Sequence, residues 1–336
     1  MCRTAAGACS LMAAIQQANA IPPDDAVKVE IHVKDGFSGT IVMPTASSNH
    51  MTTESPTGVD LSAYYKITRT ITIDLDDRLH LRSAGDVPSA AAFWVEAPNV
   101  QLLNFTDVYS NESTIVFGAN SDGSTLRGGS SIQTDNWNAE RMVWVKAGAD
   151  DITVADYTMG RFYQQEGSAS IVVRKTALQS ENEIRNLTIS NVTIDNTPAA
   201  TGATGCGSTT GRDCASSGIA VNGLAVNGFR IENSVFNYFP SSPTGTATAL
   251  KRRAINAEGA LTSMDWDFSG NTFTGVASGL LRSDATIQLP AERVLGGINH
   301  IRNNTFDNTV AAERPAPGAS PLGQGAAIVY RGPYST

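Results

Sequence analysis

The stretch Glu183–Asn196, EIRNLTISNVTIDN, constrains the fold more than any other because its centre recurs along the chain. Ile189-Ser190-Asn191 is an apolar residue, a spacer and an Asn. Related triplets are Leu102-Leu103-Asn104, Val154-Ala155-Asp156, Ile231-Glu232-Asn233, Phe268-Ser269-Gly270 and Ile301-Arg302-Asn303. Their third members lie 52, 35, 42, 37 and 33 residues apart, irregular intervals within the range of solenoid repeats. Each triplet continues with alternating Thr, Val, Phe or Ile, the pattern of a short strand with one buried face. A second strand family precedes it: Phe93–Glu96, Ile115–Gly118, Val143–Lys146, Ile171–Arg174, Ile219–Asn222, Ile255–Glu258 and Ile328–Arg331.

One such unit cannot bury its apolar face alone, so neighbouring units must stack around a shared core. Asn at equivalent turns tolerates left-handed backbone, and stacked copies can form an amide ladder. No strong helical period follows residue 20, which argues against a βαβ fold or a leucine-rich horseshoe. The expected fold is all-β, a right-handed parallel β-helix, with the hand taken from the usual behaviour of such solenoids. Residues 1–30 form an N-terminal cap and residues 31–336 the solenoid. Within the cap, Ser10 precedes a helix whose apolar face is Leu11, Ile15 and Ala18. The final strand, Ala326–Arg331, starts a unit that 332–336 do not complete; its edge is a candidate for self-association.

The N-terminal segment CRTAAGACSLMAAIQQANA resembles the CSLREA-type segment near the start of secreted and surface-anchored bacterial β-helix proteins. Cys9-Ser10-Leu11 is followed by the helix and by Ala18-Asn19-Ala20. Gly39-Thr40-Ile41 and Thr70-Ile71-Thr72-Ile73-Asp74 then follow in the order of that pattern. The match spans about the first 75 residues and departs at Met12-Ala13-Ala14, where Arg-Glu-Ala is usual. It implies a β-helix in an extracellular or cell-surface setting and transfers no catalytic residue. The remainder resembles the broad right-handed β-helix class, which includes pectate-lyase-like enzymes, adhesins and phage depolymerases.

Charge and cysteine usage fit that setting. Only 17% of residues are charged and the net charge is −8, so nothing draws the chain to nucleic acid or anionic membrane. No apolar run is long enough to insert into a membrane. Cys2 follows Met1 directly, without a basic and apolar leader, as expected of a mature fragment. The cysteines fall as close pairs, Cys2/Cys9 and Cys206/Cys214, which read as two disulfides. A metal site is the rival reading, against which stand the spacing and the lack of nearby His.

Candidate chemistry lies on the outer side of the second strand family. With Phe93 and Val95 inward, Trp94 and Glu96 point outward, as do Trp144 and Lys146, Arg174, Asn222, Asn256 and Glu258. Lys175, Arg252, Arg282 and Asp284 extend this stripe. Trp94, Trp144, Arg174, Asn222 and Glu258 are the candidate ligand-binding set, suited to stacking on sugar rings and holding hydroxyl or carboxylate groups. An enzyme would draw on Lys146, Arg174, Lys175, Arg252, Glu258 and Asp284, either as a lyase with a basic proton acceptor or as a glycosidase with paired carboxylates. The plainer reading is that the charges are solvated and the two Trp pack beneath neighbouring loops. His32, His50, His80 and His300 are scattered and lack ligand spacing. No cofactor is firmly implied; Asp74-Leu75-Asp76-Asp77 could hold Ca2+, but a solvated turn is the plainer reading.

Two functions fit. One is a surface module for binding or adhesion, or a stiff spacer, with polysaccharide or cell-surface glycan as partner. The other is a carbohydrate-active β-helix enzyme acting beside the long loops Thr197–Ser217, Pro240–Leu250 and Val310–Gly325, which should rise from one side.

Overall fold

A computed structural model describes residues 9–22, 27–43, 51–53, 61–83, 90–109, 113–132, 141–160, 169–175, 179–195, 217–239, 253–276, 285–288, 295–307 and 326–329. The chain winds as a solenoid of short strands, and among the described residues all but one of the strand pairings are parallel. The exception joins Met51–Thr53 to Leu61–Ile67.

Four strips of strand line the solenoid. The first face is a ten-stranded sheet holding Ala90–Val95, Ser113–Phe117, Arg141–Val145, Ala169–Arg174, Ser217–Asn222, Arg253–Gly259, Ala285–Gln288 and Ala326–Val329. The second is a short four-stranded sheet of Glu183–Arg185, Ala225–Asn227, Ser263–Met264 and Leu295–Gly296. The third face carries the recurring triplets in Thr153–Ala155, Thr188–Ser190, Arg230–Glu232, Asp267–Ser269 and His300–Arg302. The fourth contains Thr158–Gly160, Thr193–Asp195, Val235–Phe239, Thr272–Val276 and Thr305–Asp307. The last two faces share one 16-stranded sheet because Gln101–Tyr109 and Thr125–Ile132 run through both.

Register explains the core. Ile171, Ile219 and Ile255 are direct partners on the first face, and Val154, Ile189, Ile231 and Phe268 on the third. All of these are fully buried, as are Val173 and Val221, which confirms the inward register expected from the alternation. Stacking like on like also lines up aromatic rings. Phe236, Phe273 and Phe306 are in register on the fourth face, with successive centroids 4.9 Å apart and rings stacked nearly parallel.

The corners are set by left-handed residues. Asn104, Asp156, Asn191, Asn233 and Asn303 have φ of 49–55°, and Gly270 has φ 68°. A second column, Asn99, Gly123, Asp151, Asn186, Gly228 and Asp265, is also left-handed. The two columns bracket hexapeptides of one form, among them DITVAD (151–156), NLTISN (186–191) and DWDFSG (265–270). Asn, Asp and Gly are the residues that adopt this conformation most readily. At Gly270 a Cβ would come within 2.6 Å of Asn233 Oδ1, so close stacking reinforces the choice. The expected amide ladder forms in part. Asn191 Nδ2 donates to Asp156 Oδ1 at 3.1 Å, and Asn186 Nδ2 to Asp151 Oδ1 at 2.8 Å. One residue further on, Asn271 Oδ1 accepts from Ser234 N–H at 2.9 Å while Asn304 Oδ1 accepts from Asn271 N–H at 2.8 Å.

The helix Leu11–Asn19 begins as expected. Ser10 is its N-cap, accepting from Ala13 N–H, and Leu11, Ile15 and Ala18 are buried. Among the described residues it is the one helix. Ala326–Val329 pairs with Ala285–Gln288, while the rest of the expected unfinished unit lies outside the described residues.

Candidate functional site

From Ala91 to Ala220 the middle of the first face is buried on both sides. Trp94, Val116, Trp144, Val172 and Ala220 are successive register partners on its outer side. With Ala91 and Ala169 they make an apolar layer separate from the lumen core. Trp94 and Trp144 are each only 1% exposed. The expectation that these rings stand open to stack on a sugar is therefore corrected. A parallel sheet covered on both faces reads as a near-continuous apolar run, and AAAFWV, STIVF, RMVWV and ASIVVR are such runs.

Lys146 is corrected with them. It points outward as expected but is 1% exposed, its ammonium 4.6 Å from the Trp94 ring centroid and 6.0 Å from that of Trp144. The Arg141 guanidinium lies 4.9 Å from the Trp144 ring. The negative ring faces thus hold two cations that water would otherwise hydrate. Trp144 Nε1–H donates to the Arg174 carbonyl at 2.9 Å, and Trp94 Nε1–H to Glu96 Oε1. Gly118 makes room for this arrangement: a Cβ there would stand 2.2 Å from Glu96 Oε1. Asn120 Nδ2 donates to Glu96 Oε2 at 3.2 Å.

Arg174 and Asn222 are register partners one rung further along, and both are exposed. Lys175 donates to Asn182 Oδ1 at 2.5 Å. At the start of its strand Arg253 is fully buried and donates to Asn256 Oδ1 at 2.6 Å. Arg141 and Arg253, each opening a first-face strand, are missing from the sequence-derived set. Their signal is an Arg placed directly before an apolar run, which marks a cation set against the sheet's outer layer. The Glu258 side chain, Arg252, Arg282 and Asp284 lie outside the described residues, so the proposed carboxylate pair has no measured separation.

Electrostatics on the second face are more ordered. Glu183 Oε1 accepts from Arg185 Nε at 2.9 Å and Asn227 Nδ2 at 2.7 Å. These bonds, Arg185 first, hold the Glu183 carboxyl below the usual glutamate value. Asp150 is raised by partial burial, against the lowering effect of the Arg185 N–H that it accepts at 2.8 Å. In the candidate calcium turn, Asp74 Oδ1 accepts from Asp76 N–H at 2.9 Å and Asn104 Nδ2 at 3.1 Å, and Asp76 pairs with Arg78. Among the described residues no group of three or more His, Cys, Asp or Glu is placed to hold a metal ion. Cys9 is not a free thiol; Cys2, Cys206 and Cys214 lie outside the described residues.

The first face also fixes where the chain varies. In each turn a fourth-face strand ends and a first-face strand begins at the same corner, and the joining segments run from three residues (110–112) to 21 residues (196–216). The expected long loops all fall at this corner, although their own structure lies outside the described residues. The corner between the third and fourth faces takes six residues (33–38) and then four (75–78) near the N-terminus, and from Thr153 onward keeps a two-residue connection, as in 156–157, 191–192, 233–234, 270–271 and 303–304.

No family model matches the chain, and no curated protein matches it. Among solved structures it is similar to the A-module of the mannuronan C-5 epimerase AlgE6 of Azotobacter vinelandii. The identity is 10% and the TM-score 0.23, over 91% of this chain and 94% of that one. A likeness of this degree carries no argument, and the parallel β-helix rests on the strand pairings themselves.

Proposed function

We propose that this chain is a binding module of the cell surface or extracellular space, a stiff β-helix that offers variable segments from one corner to a glycan. The observation that carries this reading is the contrast between corners. Length varies from three to 21 residues between the fourth and first faces, and from Thr153 onward stays at two between the third and fourth. A rigid frame whose longest and most variable segments gather at one edge is the arrangement by which scaffolds carry recognition loops. Arg174 and Asn222, exposed at the far end of the first-face strands from that corner, add donors for hydroxyl and carboxylate groups. The CSLREA-like segment and two close cysteine pairs support the extracellular setting and the disulfides Cys2–Cys9 and Cys206–Cys214. Among the described residues no helix is long and apolar enough to cross a membrane.

The test is a panel of polysaccharides and cell-surface glycans, probed with the full chain and with a variant in which a short Gly-Ser linker replaces 197–215. Binding should fall in the variant while its melting temperature stays close to that of the parent. Retained binding, or no binding by the parent to any glycan, overturns the reading. A carbohydrate-active enzyme is the second reading, favoured by the exposed Arg174 with Lys175 beside it at the end of a first-face strand; Lys146, buried against Trp94 and Trp144, is out of a substrate's reach. Release of unsaturated or reducing ends from the same panel would establish it.

A further inference from the structure

The sequence contains Asn-Gly twice within seven residues, at Asn222-Gly223 and Asn227-Gly228, and the fold treats the two copies differently. Asn227 is tied at both ends of its amide: Nδ2 donates to Glu183 Oε1 at 2.7 Å, and Oδ1 accepts from Met264 N–H at 2.9 Å. Its neighbour's backbone is tied as well, because Gly228 N–H donates to the Met264 carbonyl at 2.9 Å. Asn222 stands at the end of its strand and is exposed. Among the described residues neither its amide nor Gly223 N–H has a hydrogen-bond partner. A Cβ at 223 would meet nothing nearer than Lys175 Cγ at 4.0 Å, so the backbone there has room to move.

We infer that Asn222-Gly223 is a site of spontaneous covalent modification, converting to aspartate and isoaspartate while Asn227 is spared. The reaction needs only the chain and water. Gly223 N attacks Asn222 Cγ and loses its proton, the Cγ–Nδ2 bond breaks, and ammonia departs to leave a cyclic imide. Water then opens the ring at either carbonyl, giving aspartate or the isomer in which the backbone runs through the former side chain. The absence of a Cβ on Gly223 removes the main steric obstacle to the attack. At 227 the same attack requires both the nucleophile and the leaving amide to release their partners first.

The consequence falls on the candidate site. Arg174 is the register partner of Asn222, and Lys175 is the nearest side chain to Gly223. Aspartate at 222 places a carboxylate beside both cations. Isoaspartate adds a backbone atom where Asn222 pairs with Gly259, at a point where the register already shifts. Neither outcome depends on what the module binds.

Tryptic peptide 213–230 contains both copies, so one digest of the reduced full chain reads them together. After ageing of the native protein in mildly alkaline buffer, tandem mass spectra should show the mass gain of an NH2 replaced by OH at 222 and not at 227. In denaturant the two should convert at comparable rates, since the fold is what separates them. Asn222→Gln should abolish the change, because its longer side chain closes a less favourable ring. An unmodified 222 in the aged native protein, or equal conversion of 222 and 227 there, overturns the inference.

Discussion

At the scale of single residues, two glycines separate sterics that the fold can absorb from sterics that it cannot. A Cβ on Gly118 would meet the Glu96 carboxylate, the mobile end of a side chain. A Cβ on Gly160 would lie 1.8 Å from the Asp195 carbonyl oxygen, which belongs to a neighbouring rung's backbone. Gly160→Ala should therefore cost about 1–3 kcal/mol or more, the range of core overpacking, and Gly118→Ala distinctly less. Denaturant unfolding of the two variants checks the order; equal losses would show that Glu96 is as fixed as backbone. Asp150 supplies a pH test. Its raised pKa means that its contribution to stability is full below the unfolded value and is lost as pH rises through the folded value. Asp150→Asn keeps an oxygen for Arg185 N–H and removes the charge. Its melting temperature should match the parent's in acid and exceed it above the carboxylate range. A variant less stable than the parent at neutral pH would mean that the Arg185 pairing outweighs desolvation. Glu183 runs the other way: its lowered pKa supports the fold above the unfolded value and that support fades as pH falls through the folded one.

At the scale of the element, the repeat is legible in the sequence because one physical constraint generates it. Every rung must turn at the same place, and a left-handed residue makes the turn, so Asn, Asp or Gly recurs after each apolar-x pair. The second left-handed column is equally regular, five residues earlier from Asn99 to Asp265, but it falls between strands too short to announce themselves. The short second face was missed for the same reason. Exposure on the first face was misread because alternation predicts direction and not cover: Trp94 does point away from the lumen, and the unbroken run AAAFWV is the sign that its outer side is buried too. Substitution at Asn191 tests the constraint. Asn191→Gly should be nearly neutral, since Gly128 and Gly270 occupy equivalent corners. Asn191→Ala keeps a Cβ at φ 53° and loses the bond to Asp156, which should cost about 1–2 kcal/mol. Equal stability of the two variants would remove the left-handed requirement as the cause of the repeat.

At the scale of the whole molecule, stability in a stack of rungs is a sum of local terms and nearest-neighbour terms, so the ends are governed by what covers them. An interior change is felt through both neighbours: Ile219 packs between Ile171 and Ile255, and Ile219→Ala should cost about 2–5 kcal/mol. The N-terminal end depends on a smaller device. Asn19, the last residue of the helix and the Asn of the Ala18-Asn19-Ala20 motif, donates from Nδ2 to the Lys66 carbonyl at 2.8 Å and accepts from Thr68 N–H at 3.0 Å. One side chain thus satisfies a carbonyl and an N–H on the rung beneath, and it gives that motif a physical purpose which the sequence alone does not reveal. Asn19→Ala removes both partners at once, a loss of about 1–3 kcal/mol. The loss should stay local. Amide exchange should quicken across Leu61–Ile67 and remain at the parent's rate across Ser217–Asn222, several rungs away. Quickening of equal size in both segments would mean that the solenoid opens as one unit, and unchanged exchange in Leu61–Ile67 would mean that the apolar face of Leu11, Ile15 and Ala18 holds the cap without Asn19.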